Sequence, residues 1–217
     1  AIMLLGIVAF ATMAEAQVRS EQLLEQGWRF TRDDSPTFSL VECDDSAWQQ
    51  VTIPHDWAIY GPFSINNDRQ NVAITQDGQK EAMEHAGRTG GLPFVGVGWY
   101  RLKFDIASLE DNRVTLIFDG AMSHARVYVN GHEAGYWPYG YNSFHLDVTP
   151  YVNEGSNLLA VRLENKPESS RWYPGAGLYR NVHLVVTEDV HIPVWGTQLT
   201  TPRVSEEFAE VKLLTTV

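Results

Sequence analysis

The feature that most constrains this chain is its rhythm. Short alternating segments recur between turns, and no helical periodicity is sustained over about ten residues once the apolar start is passed. Residues 99–104 place Tyr100, Leu102 and Phe104 on one face. Residues 114–118 are apolar and largely β-branched. Residues 124–129 put Ala125, Val127 and Val129 on one side, which leaves His124 and Arg126 as solvent-facing positions. Asn130-Gly131 then turns the chain onto residues 133–136; this dipeptide is the strongest short hairpin signal. Residues 27–30, 51–53 (ended by Pro54), 144–148, 157–163 and 182–186 add further strand signals. Residues 20–26 are expected to form a short polar helical lead. Many short strands spaced by turns predict an all-β sandwich, a jelly roll.

Two stretches depart from the rhythm. Residues 57–98 carry little strand pattern, and a loop of that length inside a compact domain is expected to be an ordered excursion packed against something, with a mobile surface loop as the alternative. Residues 189–196 loosen around Pro193. Two new strands are expected after them, at 196–201 and 208–217. Those two strands cannot bury a face by themselves, so a further domain is expected beyond them.

The apolar run at residues 2–12 carries no charge and is too short to span a bilayer. It leads into Ala14-Glu15-Ala16, a small-x-small cleavage pattern. Residues 1–16 therefore read as part of a secretory signal peptide, with further residues expected upstream. The single cysteine, Cys43, rules out an intrachain disulfide. Export without disulfides points to a bacterial periplasmic or secreted protein with no membrane attachment after cleavage. A net charge of −11 with no basic block argues against nucleic acid as a partner. The 7 Trp, 9 Tyr and 9 Phe suit both sheet packing and carbohydrate recognition.

Catalytic chemistry is hard to find. The seven histidines show no metal-ligand spacing, so no metal or other cofactor is expected. No nucleophile elbow, phosphate loop or dinucleotide fingerprint is present. Ser169 and Ser170 have no base beside them, and His55-Asp56 reads as a loop hydrogen-bond network. No pair among the 27 acidic residues stands out as a glycosidase pair. The informative segment is the bend at residues 169–180, which concentrates Arg171, Trp172, Tyr173, Pro174, two glycines, Tyr179 and Arg180. Aromatic faces stack on sugar faces, arginine forks bind oxygen, and Pro and Gly fix the backbone that aims them. It reads as a presentation loop.

The motifs Pro54-His55-Asp56-Trp57, Thr89-Gly90-Gly91-Leu92-Pro93, Gly96-Val97-Gly98-Trp99-Tyr100-Arg101, Phe118-Asp119-Gly120, Val127-Tyr128-Val129-Asn130-Gly131 and the run from Arg171 to Val182 occur in that order. Together they resemble the N-terminal sugar-binding domain of glycoside hydrolase family 2, most of all its secreted bacterial β-galactosidase members. The resemblance implies a galactose-binding-like jelly roll over residues 17–187. It also implies a linker and the truncated start of an immunoglobulin-like domain over 188–217. It implies a retaining exo-β-glycosidase whose two catalytic glutamates lie on a (β/α)8 barrel absent from this chain, so no residue here is catalytic. The substrate-binding candidates it implies are Ser170, Arg171, Trp172 and Tyr173, which match the bend that reaches the barrel mouth, and Arg88 in a second loop. Some β-galactosidases carry an acidic residue where this chain has Ser170. The implied partner is a terminal β-galactoside shared with the barrel, and the full-length enzyme could be homo-oligomeric. The alternatives are an autonomous carbohydrate-binding module, or the same domain of a β-glucuronidase or β-mannosidase.

Overall fold

The computed structural model describes residues 19–67, 69–86, 94–167 and 175–217. Among these, strands follow in the order β1 (Arg19–Leu23), β2 (Trp28–Thr31), β3 (Gln49–Val51), β4 (Arg69–Val72), β5 (Met83–Ala86), β6 (Gly96–Ile106) and β7 (Asn112–Phe118). They continue with β8 (Ala125–Val129), β9 (His132–Trp137), β10 (Phe144–Asp147), β11 (Gly155–Asn165), β12 (Val182–Glu188), β13 (Thr197–Val204) and β14 (Ala209–Thr215). Two sheets form a jelly-roll sandwich: a four-stranded sheet ordered β1-β12-β7-β10 and a six-stranded sheet ordered β3-β2-β6-β11-β8-β9. β4 pairs with β5 and β13 with β14 as separate two-stranded ribbons.

The core lies between the sheets, built from the inward positions that period-2 alternation supplies. The six-stranded sheet contributes Phe30, Tyr100, Leu102, Val127, Leu159 and Val161, and the opposite sheet contributes Val114, Leu116, Phe118, Phe144, Val182 and Leu184, all buried. The spine is the antiparallel pair β6–β11, in register from Gly96 opposite Asn165 to Ile106 opposite Gly155. Asn130 (φ 51°) and Gly131 (φ 84°) make the expected tight turn between β8 and β9. The Asn130 carboxamide adds long-range ties, donating to Tyr151 O and accepting from Leu158 N, each at about 2.8–2.9 Å.

β6 is covered on both sides. Its outward residues Trp99 and Arg101 are as buried as its core residues, because residues 34–48 fold over them. Arg101 is 1% exposed and ties this cover down. Its Nε donates to Asp45 at 2.7 Å, and its terminal nitrogens donate to the carbonyls of Phe38, Leu40 and Cys43 at 2.6, 2.8 and 3.2 Å. Beside it, Asp34 accepts from the Trp99 indole at 2.8 Å and from both Nε and a terminal nitrogen of Arg162 at 3.0 and 2.8 Å. The Arg162 hydrogen bonds hold the Asp34 carboxyl below the usual carboxylate range, against a smaller upward push from burial.

Two expectations change. Residues 20–26 do not form a helical lead: β1 pairs with β12 from Arg19 opposite Thr187 to Leu23 opposite His183. The segment is too short to hold a helix alone, and an open sheet edge satisfies its backbone groups instead. The described residues of the 57–98 stretch, which carries little strand pattern, form 3-10 turns at Trp57–Tyr60 and Thr75–Asp77 and the β4–β5 ribbon. Arg101→Leu is expected to strip the donor from three carbonyls and from Asp45. Stability should fall by about 3 kcal/mol, read from urea unfolding curves.

Candidate functional site

The proposed sugar-facing residues Ser170, Arg171, Trp172 and Tyr173, and Arg88 in the second loop, lie outside the described residues. The described structure shows what the bend is built on. β11 and Pro167 precede the bend and Gly175 follows it, and the flanking residues Glu164 and Gly177 are tied to the adjacent residues Ser123 and Met122. On the outgoing side, Glu164 N donates to Ser123 O and Ser123 Oγ donates to Glu164 O, both at 2.8 Å. On the returning side, Met122 N donates to Gly177 O at 3.0 Å and Gly177 N to Met122 O at 2.9 Å.

The returning limb is held on its other side by residues 55–57. His55 N donates to Leu178 O at 2.8 Å, and Trp57 N to Ala176 O at 2.9 Å. Asp56 completes the lacing. Its Oδ1 accepts from Ala58 N, capping the short 3-10 turn, and from Ala176 N, both at 3.0 Å. Residues 175–178 therefore run between two backbone segments, and Ala176 and Leu178 are fully buried there. Gly177 (φ 124°) has no room for a side chain: a Cβ would lie 2.4 Å from His55 O and 2.5 Å from the Tyr100 hydroxyl. The Tyr179 hydroxyl continues the anchoring by donating to Gly140 O at 2.7 Å.

Beneath this limb sits a buried polar pair in an aromatic nest. The Tyr100 hydroxyl lies 2.7 Å from Nδ1 of His55 and 3.4 Å from the His55 carbonyl oxygen. Phe30 meets the His55 ring at 4.8 Å and stacks on Trp57 at 5.6 Å. Burial pushes the Tyr100 phenol well above its ordinary range, so it stays protonated and available as a donor. Burial also holds His55 below the ordinary histidine range, against a weaker upward pull from Asp56. Among the described residues, the Trp57 indole nitrogen is the one buried side-chain polar atom without a hydrogen-bond partner.

The expected loop network at His55 and Asp56 is present. Its partners Tyr100, Ala176 and Leu178 lie far away in the sequence and carry no local signal, and neither does the tether at Met122 and Ser123. The one local clue was the Asp three residues after an expected strand end, in a position to cap a turn. Among the described residues, no group of three or more His, Cys, Asp or Glu could hold a metal ion.

Gly177→Ala adds both backbone strain and a clash with fixed backbone. It is expected to cost about 3 kcal/mol or more, seen as a lowered urea midpoint and faster amide exchange at Ala176 and Leu178. The pH dependence has a definite sign. Because folding depresses the His55 pKa, the folded state binds fewer protons than the unfolded chain just below about pH 6.5. The stability tied to neutral His55 is complete above that pH and is lost as pH falls through the window. His124, also held low mainly by burial, acts in the same direction. His55→Gln should therefore flatten, but not abolish, the fall in unfolding free energy between about pH 6.5 and 5.

A family model, that of the glycosyl hydrolases family 2 sugar-binding domain, matches residues 22–188. The β-galactosidase BoGH2A of Bacteroides ovatus is 36% identical over 216 residues, covering 98% of this chain and 23% of that protein. A provisionally named β-glucuronidase of Formosa agariphila is 32% identical over 215 residues, covering 98% of this chain and 19% of that protein. Among solved structures, a glycosyl hydrolase family 2 member from Bacteroides cellulosilyticus superposes with a TM-score of 0.73 at 34% identity. That match covers 89% of this chain and 24% of that one. The chain thus spans about a quarter or less of the length of these relatives. With the family model matched across both sheets of the sandwich and over the laced limb at Ala176, the chain belongs to glycoside hydrolase family 2, in which residues 22–188 are the sugar-binding domain.

Proposed function

We propose that this chain is the non-catalytic N-terminal domain of a secreted, retaining exo-β-glycosidase of β-galactosidase type. In this reading residues 169–173 form one wall of a pocket for a terminal β-galactoside, and the catalytic carboxylates come from a barrel elsewhere in the full-length enzyme. The observation that carries the reading is the double tether at Met122 and Ser123, which fixes the backbone on both sides of segment 166–174. Anchored backbone at Glu164 and Gly177 fixes the two points between which Arg171, Trp172 and Tyr173 lie in the sequence, and fixed end points lower the ordering free energy that sugar binding would cost. The β-galactosidase name of the Bacteroides ovatus relative supports the sugar assignment. The Ala14-Glu15-Ala16 pattern after an apolar run supports export. The β-glucuronidase name of the Formosa relative makes a terminal β-glucuronide the second reading.

The 217-residue chain alone is expected to release no product from an aryl β-galactoside. In the full-length enzyme, Trp172→Ala and Arg171→Ala should each lower kcat/KM for aryl β-galactoside by about tenfold or more. Unchanged kinetics in both variants would make the domain a scaffold. A higher kcat/KM for aryl β-glucuronide than for aryl β-galactoside in the parent enzyme would select the second reading.

A further inference from the structure

The outer face of the four-stranded sheet holds a concavity that shares no residue with the limb at 175–178. After β12 the chain folds back across this face. Its start is pinned where Arg113 Nε on β7 donates to Asp189 at 2.7 Å and Asp189 N donates to Asp111 O at 2.9 Å. Between the returning segment and the sheet lies a cavity of about 770 Å³, within the size range of small-molecule sites. Among the residues that line it are Ile117 and Thr187 of the sheet, Ile192 and Trp195 of the returning segment, and the polar residues Asp119 and Ser143.

Trp195 is the residue that ordinary packing does not explain. It occupies the third position of a tight turn closed by Gly196 N donating to Pro193 O at 2.9 Å. Its φ is +58°, a left-handed conformation that glycine adopts without strain and a bulky side chain does not. The strain gains no burial, since Trp195 is 65% exposed. The indole meets the His145 ring edge-on at 5.0 Å. What the side chain does accomplish is to give a cavity that Asp119 and Ser143 also line a large flat apolar surface, and a site with both kinds of group suits an amphipathic ring.

We propose that this cavity binds a neutral pyranose unit of a glycan, with the sugar's C–H face on Trp195 and its hydroxyls on Asp119 and Ser143. Asp119 can accept from sugar hydroxyls while its Oδ2 receives His183 Nε2 at 3.2 Å. Arg19 also borders the cavity in an exposed pair with Glu21 at 3.2 Å, but the Asp119 carboxylate in the lining repels a uronate and favours a neutral sugar. The site does not depend on the pocket wall assigned to residues 169–173.

The test is a two-dimensional NMR titration of the 217-residue chain with galactose, lactose, cellobiose and mannobiose, and with glucuronate as the charged control. The expected result is a saturable shift of the Trp195 indole N–H and of the Ser143 and Thr187 amides with at least one neutral sugar, at about millimolar affinity, and none with glucuronate. Trp195→Gly removes the platform and relieves the left-handed strain. Its melting temperature should hold or rise while affinity drops about tenfold or more. Asp119→Asn keeps the shape and should weaken binding at least about threefold. No saturable shift at Trp195 with any of the four neutral sugars overturns the proposal. So do shifts confined to residues 175–178, or an Asp119→Asn variant that binds as well as the parent.

Discussion

Neighbouring residues on a strand point to opposite faces, and at Tyr100 and Arg101 this rule organises most of the irregular structure. Tyr100 points into the sandwich and carries its hydroxyl to His55. Arg101 points outward and gathers Asp45 and the carbonyls of Phe38, Leu40 and Cys43. Both sit on β6, paired along its whole length with β11, so neither can shift without breaking a ladder of backbone bonds. One central strand therefore fixes two loops whose regular structure is a short 3-10 turn each, Pro36–Ser39 and Trp57–Tyr60. The alternation also explains an unusual burial pattern. A β6 reading of apolar-in, polar-out would put Arg101 in water, yet Arg101 is among the most buried side chains. Its charge is tolerated there because carbonyl dipoles and one carboxylate surround it.

The sandwich was readable because its signals are local. Alternation at residues 99–104 and 124–129 and the Asn130-Gly131 turn each depend on a few neighbouring residues, and each appears in the structure where the pattern put it. Residues 20–26 failed for the opposite reason. Their strand state depends on an edge offered by β12, more than 150 residues away in sequence, as the pairing of Arg19 with Thr187 shows. Local propensity carries no record of such an edge. The same limit applies to the limb at 175–178. Its glycines announce a special backbone. Nothing in the local sequence says that Gly177 must slip between His55 O and the Tyr100 hydroxyl.

The candidate site shows the division sharply. Residue type pointed to the bend, because Arg171, Trp172 and Tyr173 are an unusual set to place on a connection. Residues 168–174 lie outside the described structure, and what the structure adds is the anchoring of the flanking residues Glu164 and Gly177. His55 and Asp56 were legible as a hydrogen-bonding loop pair. Their function became visible only with Ala176 and Leu178 as partners, 120 residues further along the chain in the case of Asp56 and Ala176.

The lacing around residues 175–178 has a consequence for how such a domain could serve a pocket completed by another part of a protein. A flexible bend would lose conformational freedom at the moment sugar arrives, at a cost of about 1–2 kcal/mol per residue ordered. Fixing the backbone at Glu164 and at Gly177 transfers part of that cost to folding, where the hydrophobic core offsets it. The anchors also lie on residues that make no contact with sugar in this reading: Met122 and Ser123 act through backbone groups and one hydroxyl. Under the proposed function, side chains at 169–173 are free to differ with the sugar while the anchors at Glu164 and Gly177 stay the same. In that arrangement one scaffold is compatible with relatives named for galactosides and for glucuronides alike.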